Sequence, residues 1–146
     1  MDYTVCSKVL ETASKELKYA YDLLWHFIQE NPNRVVINDK ILEEYIKYAN
    51  ESGTIREWIK GMDFKKYWKP VAINDFENLF IDTCRRTHDK RLIVCEKEDY
   101  NPINYNGITV FNKDEAISEL QPAGIVINQS GNNNQAATGN NSSNIK

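Results

Sequence analysis

Long apolar stretches are what this chain of 146 residues has least of. Its longest runs, such as Val35-Val36-Ile37 and Leu92-Ile93-Val94-Cys95, are strand-sized, far below the ~20 residues that a helix crossing a bilayer needs. No membrane-spanning helix is expected. The first residues, Met1-Asp2-Tyr3-Thr4-Val5, lack the basic segment and apolar core of a secretion signal, so the expected location is the cytoplasm. Cysteine is scarce too. Cys6, Cys84 and Cys95 make an odd count without Cys-x-x-Cys spacing, which argues against a disulfide framework or a structural zinc site, and their apolar surroundings suggest buried thiols acting as small hydrophobes. There is no phosphate-binding glycine loop, dinucleotide fingerprint or Ser-His-Asp arrangement, and the 6 glycines fall in turns and near the carboxyl terminus. His26 and His88 are isolated from other candidate catalytic groups. A net charge of −3 gives no global attraction to nucleic acid but leaves room for a local basic patch.

What is present fits one ordinary domain. Hydrophobic residues at 41% and charged residues at 27% exclude wholesale disorder. After a β-prone Tyr3 to Cys6, the spacing of Leu10, Ala13, Leu17, Ala20, Leu24 and Phe27 predicts one helix of about five turns, stopped at Asn31-Pro32-Asn33. Val35-Val36-Ile37 reads as a strand, with Asn38 or Asp39 capping a helix over Ile41, Leu42, Tyr45, Ile46 and Ala49. Ser52-Gly53 supplies its stop, and Thr54 caps a short helix ending near Gly61. Met62 to Pro70, aromatic and basic, has no clear period.

Asn74 or Asp75 is expected to cap the next helix, with Phe76, Leu79, Phe80, Thr83 and Cys84 on one face. Arg91 to Cys95 has the continuous apolar character of a strand covered on both faces. Ile108-Thr109-Val110-Phe111 follows the Asn106-Gly107 turn signal, and Asn112 caps a last helix over Ala116, Ile117 and Leu120. Strands alternating with helices predict an α/β domain over residues 1–121: three layers, a central parallel sheet of about four strands flanked by helices. Residues 122–146, rich in Asn, Gly and Ser, read as a flexible tail or linker, or as the start of a further module from Ile125-Val126-Ile127.

Ligands on such sheets bind beyond the carboxyl ends of the strands, which directs attention to Cys6-Ser7-Lys8, Asn38-Asp39 and Glu96 to Asp99. Three segments there carry a resemblance. The stretch from Val35 to Tyr45, including Glu44, looks like a strand running into a helix that bears an acid. Leu92-Ile93-Val94-Cys95-Glu96-Lys97-Glu98-Asp99-Tyr100 resembles the pattern Leu-Val-Thr-x-Asp-x-Asp-Phe, and Gly107-Ile108-Thr109-Val110-Phe111 with Lys113 to Leu120 is similar to a closing strand and helix. Together they resemble the PIN-like domains, small α/β metal-dependent nucleases.

The resemblance implies a cluster of carboxylates holding Mg²⁺ or Mn²⁺ to activate water against a phosphodiester. Glu44 keeps one acid position and is the implied metal ligand. The others fall at Cys6, Asn78 and Lys97. A thiol suits a hard cation poorly, and a lysine repels one. Lys8 and Lys97 are candidates to take the place of the metal's charge. The leading expectation is thus a PIN-like domain with a degraded metal site, a non-catalytic recognition or assembly module needing no cofactor and joined through its tail to another protein or domain. The alternative is an active Mg²⁺- or Mn²⁺-dependent endoribonuclease that recruits Glu77, Asp82, Glu96 and Asp99 beside Glu44. A third reading is RNA binding without cleavage through Lys65, Lys66, Lys69, Arg85 and Arg86, with Tyr67 and Trp68 able to stack on bases. Against these, Glu43 and Glu44 sit at helical spacing from Lys40 and Lys47 for surface ion pairs, Tyr67 and Trp68 can be half-buried under solvated lysines, and Arg85 and Arg86 complement a helix carboxyl terminus.

Overall fold

The computed structural model describes residues 1–29, 32–97 and 106–120. Asp99 and residues 122–146, named above, lie outside them. The described residues form β1 (Asp2–Val5), α1 (Ser7–Lys15), α2 (Leu17–Ile28), β2 (Arg34–Ile37), α3 (Asp39–Ala49), α4 (Gly53–Lys65), β3 (Trp68–Pro70), α5 (Leu79–Arg85), β4 (Arg91–Ile93), β5 (Thr109–Phe111) and α6 (Lys113–Leu120). All strands pair in parallel in the order β3-β2-β1-β4-β5. This is the expected α/β fold class, with five strands among the described residues rather than about four.

The chain steps one way from β1 through β2 to β3, then crosses back to β4 and β5. Right-handed crossovers therefore put α1 to α4 on one face and α5 on the other. Helix contacts agree: α1 to α4 pack on one another, α6 packs on α2, and α5 lies against β1 and β4. The main core fills the multi-helix side. Tyr3 on β1 meets Phe27 of α2 and Phe111 of β5 edge-on, and the fully buried Trp58 donates from Nε1 to the Leu24 carbonyl at 2.9 Å. Gly61 lies inside α4, where a Cβ would come 2.7 Å from Ile28 Cδ1 of α2 and require that terminal methyl to move aside.

Several element boundaries differ from the sequence reading. The long first helix is two, broken at Glu16 (φ −121°, ψ 99°). An unbroken helix over residues 7–28 would run about 33 Å, whereas strands of three or four residues span only about 10–13 Å. The break folds both helices over the sheet and leaves Leu17 56% exposed, off the buried stripe. Ser52 does not stop α3. It caps α4, accepting from the Ile55 amide at 3.3 Å, and α4 passes Gly61 to end where Lys66 adopts φ 59°. α5 starts at Leu79 rather than after Asn74 or Asp75, because the Asn78 side chain accepts from the Ile81 amide while Asp82 Oδ2 accepts from the amides of Glu77 and Asn78; Phe76 stays 42% exposed. β3, unread in the sequence, is a three-residue strand ending in Pro70 and pairs with β2 alone. A proline is tolerated at such an edge. The Asn38 cap on α3 and the Asn112 cap on α6 stand as expected, the latter reciprocal with Glu115 at 2.9 and 3.0 Å. No helix among the described residues is long and apolar enough to cross a membrane.

Candidate functional site at the strand carboxyl ends

β1 and β4 are neighbours whose following connections leave in opposite directions, so the crevice beyond their carboxyl ends is the switch point at which such sheets bind ligands. The Cys6 amide donates to the Ile93 carbonyl at 3.1 Å, which keeps the two strands together past the end of β1. The Cys6 side chain is 5% exposed. Below it, the phenol of Tyr45 on α3 donates to the Val5 carbonyl and stacks on Phe80 of α5. Full burial, and then the neighbouring Cys6, push the Tyr45 phenol well above its ordinary pKa. On the α1 and α2 side, Cys95 is half-buried rather than buried. Its Sγ donates to the Lys8 carbonyl at 3.3 Å and lies 3.3 Å from Thr12 Oγ1 and 3.4 Å from the Tyr19 hydroxyl. Burial, then the contact with Cys95, drives the Tyr19 pKa upward. Cys84, in α5, behaves as the sequence suggests: it is buried, and burial pushes its thiol up to about 11 despite the Thr4 and Thr87 hydroxyls against it.

The acid positions are dispersed. Glu44 is partly exposed on α3 and accepts from Lys47 Nζ at 2.8 Å. It shares an open groove of about 410 Å³ with Glu77, Glu43, Lys40, Phe76 and Asn78. A second hollow of about 500 Å³, lined by Lys40, Asn38, Asp39 and Pro70 to Asn74, adjoins it through Lys40. Glu77 is exposed there, but Asp82 is spent on the α5 amino terminus and Asn78 on its cap. Glu96 is exposed after β4, close enough to Tyr19 to raise the phenol's pKa further. Lys97 reaches the Glu115 carboxylate on α6 at 2.8 Å, and this bond, with the Asn112 amide, holds the Glu115 carboxyl below its usual range. Lys8 pairs with Glu11 at 3.4 Å. Of the sequence-derived acids, Glu44 and Glu77 share one groove, while Asp82 is engaged at the start of α5 and Glu96 is exposed after β4, outside that groove. Among the described residues, no three His, Cys, Asp or Glu side chains gather closely enough to hold a metal ion. A buried thiol, a helix-capping amide and an ion-paired lysine do not fit the oxygen donors that Mg²⁺ or Mn²⁺ requires.

The basic candidates sit elsewhere. Lys65 and Lys66 close α4 just before β3 begins, and Arg85 and Arg86 are exposed at the carboxyl end of α5 before β4. Both pairs therefore belong to the opposite, amino-terminal end of the sheet. Lys69 is half-buried within β3. Tyr67 and Trp68 are half-buried against the core, with Trp68 Nε1 donating to Asp63 Oδ1 at 2.8 Å and its ring edge-on to Trp58. The sequence reading placed Tyr45 on the apolar stripe of its helix with Ile41 and Ala49 but gave it no part in the site, and it overlooked Phe64, which is 86% exposed beside the two lysines. No family model, curated protein or solved structure matches this chain.

Proposed function

We propose that the chain is a PIN-like domain whose metal site has degraded, and that it serves as a non-catalytic recognition or assembly module. The observation that carries this reading is the use of the would-be acid positions for internal structure. Cys6 is buried beside the Tyr45 phenol, Asn78 caps α5, and Lys97 is tied to Glu115. A fourth position, Glu44, keeps its carboxylate and pairs it with Lys47. Such an arrangement holds the strand ends rigidly, as a recognition surface requires, without the convergent oxygen atoms that metal-assisted hydrolysis needs.

One observation favours the alternative, an active Mg²⁺- or Mn²⁺-dependent endoribonuclease: Glu44 and Glu77 open onto the same groove. Incubation of the purified chain with labelled RNA in Mn²⁺ separates the two readings. The module reading predicts no cleavage above buffer. Cleavage that disappears in Glu44→Gln would overturn it.

A further inference from the structure

We infer that single-stranded nucleic acid binds at the amino-terminal end of the sheet, with Phe64 as a base-stacking residue and Lys65, Lys66, Arg86 and Lys90 as phosphate contacts. This surface lies at the other end of the strands from the candidate metal site, and the inference does not rest on the PIN-like reading.

The strands are parallel, so the residues entering them share one end of the molecule. Lys66 precedes β3 and Lys90 precedes β4, while α5 delivers Arg86 to the same turn. The Asp2 amide donates to Asp89 Oδ2 at 2.8 Å, which pins that turn beside the start of β1. β3 and β4 are three strand spacings apart in the sheet, about 14 Å, so Lys65 and Lys66 stand on one side of the starts of β2 and β1 and Arg86 and Lys90 on the other, a separation that a short single strand can bridge.

The ion pairs of the molecule set these groups apart. Lysines on the helix surfaces are matched with carboxylates: Lys15 with Glu11, Lys18 with Asp22, Lys40 with Glu43, Lys47 with Glu44 and Lys60 with Glu57. Among the described residues, Lys65, Lys66, Arg86 and Lys90 have no such match, although the half-buried Lys90 donates from Nζ to the Thr87 carbonyl at 3.4 Å. Of the carboxylates bonded there, Asp2 is balanced by Arg34 at 3.0 Å, while Asp63 and Asp89 accept from neutral N–H groups, the Trp68 indole and the Asp2 amide, and keep their charge. Lys65, Lys66, Arg86 and Lys90 outnumber these two anions, which leaves the local balance positive although the chain's net charge is −3.

Phe64 supplies the second half of the argument. At 86% exposed it is the most solvent-exposed large hydrophobic side chain described, and it is followed directly by the two lysines. A lone aromatic among lysines is a poor protein-docking core, since the centres of protein interfaces are depleted in lysine and built from contiguous apolar area. It suits a base, whose face stacks on one ring while its phosphates meet the neighbouring cations.

Fluorescence anisotropy with a labelled single-stranded oligouridine, titrated with the full chain at low salt, tests the inference. Binding is expected. Phe64→Ala should weaken it about tenfold or more and Phe64→Trp should restore it, while Lys65→Ala and Lys66→Ala should each flatten the dependence of log affinity on log salt by roughly 0.7. Lys15→Ala, on α1, should change neither quantity. Because Phe64 and these lysines are exposed, the melting temperature should hold in every variant. The inference is overturned by absent binding, by binding indifferent to Phe64→Ala, by an equal loss in Lys15→Ala, or by a preference for duplex RNA, whose base faces are hidden. Equal displacement by polyglutamate would also overturn it, assigning the surface to acidic proteins.

Discussion

The two ends of the parallel sheet differ in what the side chains proposed for function already hold. At the carboxyl-terminal end, where the fold would place a ligand, side chains bond to the protein itself: Tyr45 to the Val5 carbonyl, Asn38 to Val71 and Thr83, Asn78 and Asp82 to the start of α5, and Cys95 to Lys8. At the amino-terminal end, Lys65, Lys66 and Arg86 carry charge without a carboxylate partner among the described residues, and Phe64 stands in solvent. A polar group satisfied inside the fold contributes rigidity, whereas one left to solvent can exchange water for a ligand at small desolvation cost. The position of a residue at a strand end is therefore weaker evidence for function than what its side chain already holds.

Substitutions can break this contrast. The largest effect should come from Tyr45→Ala, which removes a fully buried ring packed on Trp58, Trp68 and Phe80. A loss of about 3–5 kcal/mol is expected in denaturant melts; a loss below 1 kcal/mol by the same rough scale would mean that the carboxyl end is not built around this ring.

Alkaline titration comes next. Burial raises Cys84 to about 11 and Tyr45 well above its ordinary value. The unfolded chain thus releases protons that the folded chain retains once the pH exceeds the unfolded values of about 8.5 for cysteine and 10 for tyrosine. Stability is fully present below those values and falls as the pH rises through the folded ones. Thermal melts from pH 8 to 11 should show that decline, and Cys84→Ala should make it shallower between about 9 and 11; an unchanged slope would place the sensitivity elsewhere.

Smaller effects sharpen the comparison. Asn78→Ala removes the cap on α5 and should cost about 1 kcal/mol, evidence that this position is structural. Phe64→Ala at the other end should change stability by less than about 0.5 kcal/mol, because the ring is 86% exposed. A large loss there would mean that Phe64 packs rather than waits for a ligand.

Much of the fold was legible in residue order. Val35-Val36-Ile37, Leu92-Ile93 and Thr109-Val110-Phe111 announced strands by branched and apolar runs, and Asn38 and Asn112 announced the helices that follow. The break at Glu16 was not legible, because the apolar positions keep a helical period on both sides of it. β3 was hidden because Trp68-Lys69-Pro70 has neither alternation nor an apolar run; its strand state comes from pairing with β2. The start of α5 was misread because Asn74, Asp75 and Asn78 all offer capping oxygens, and only the Asp82 contacts decide among them.

For the site, the sequence reading identified Glu44 and Glu77 as candidates, and they share a groove. It could not show that Lys97 would be drawn to Glu115, eighteen residues on, or that Tyr45, next to Glu44, would be the side chain turned under β1. Such pairings depend on tertiary contacts that local periodicity does not encode.

The central claim is that the strand carboxyl ends are built for rigidity and not for a divalent cation. Calorimetric titration of Mn²⁺ into the wild-type chain and into Glu44→Gln at pH 7, without nucleic acid, tests it most directly. The account predicts no saturable heat from either protein; saturable binding by the wild type that is lost in Glu44→Gln would contradict it and restore a working metal site.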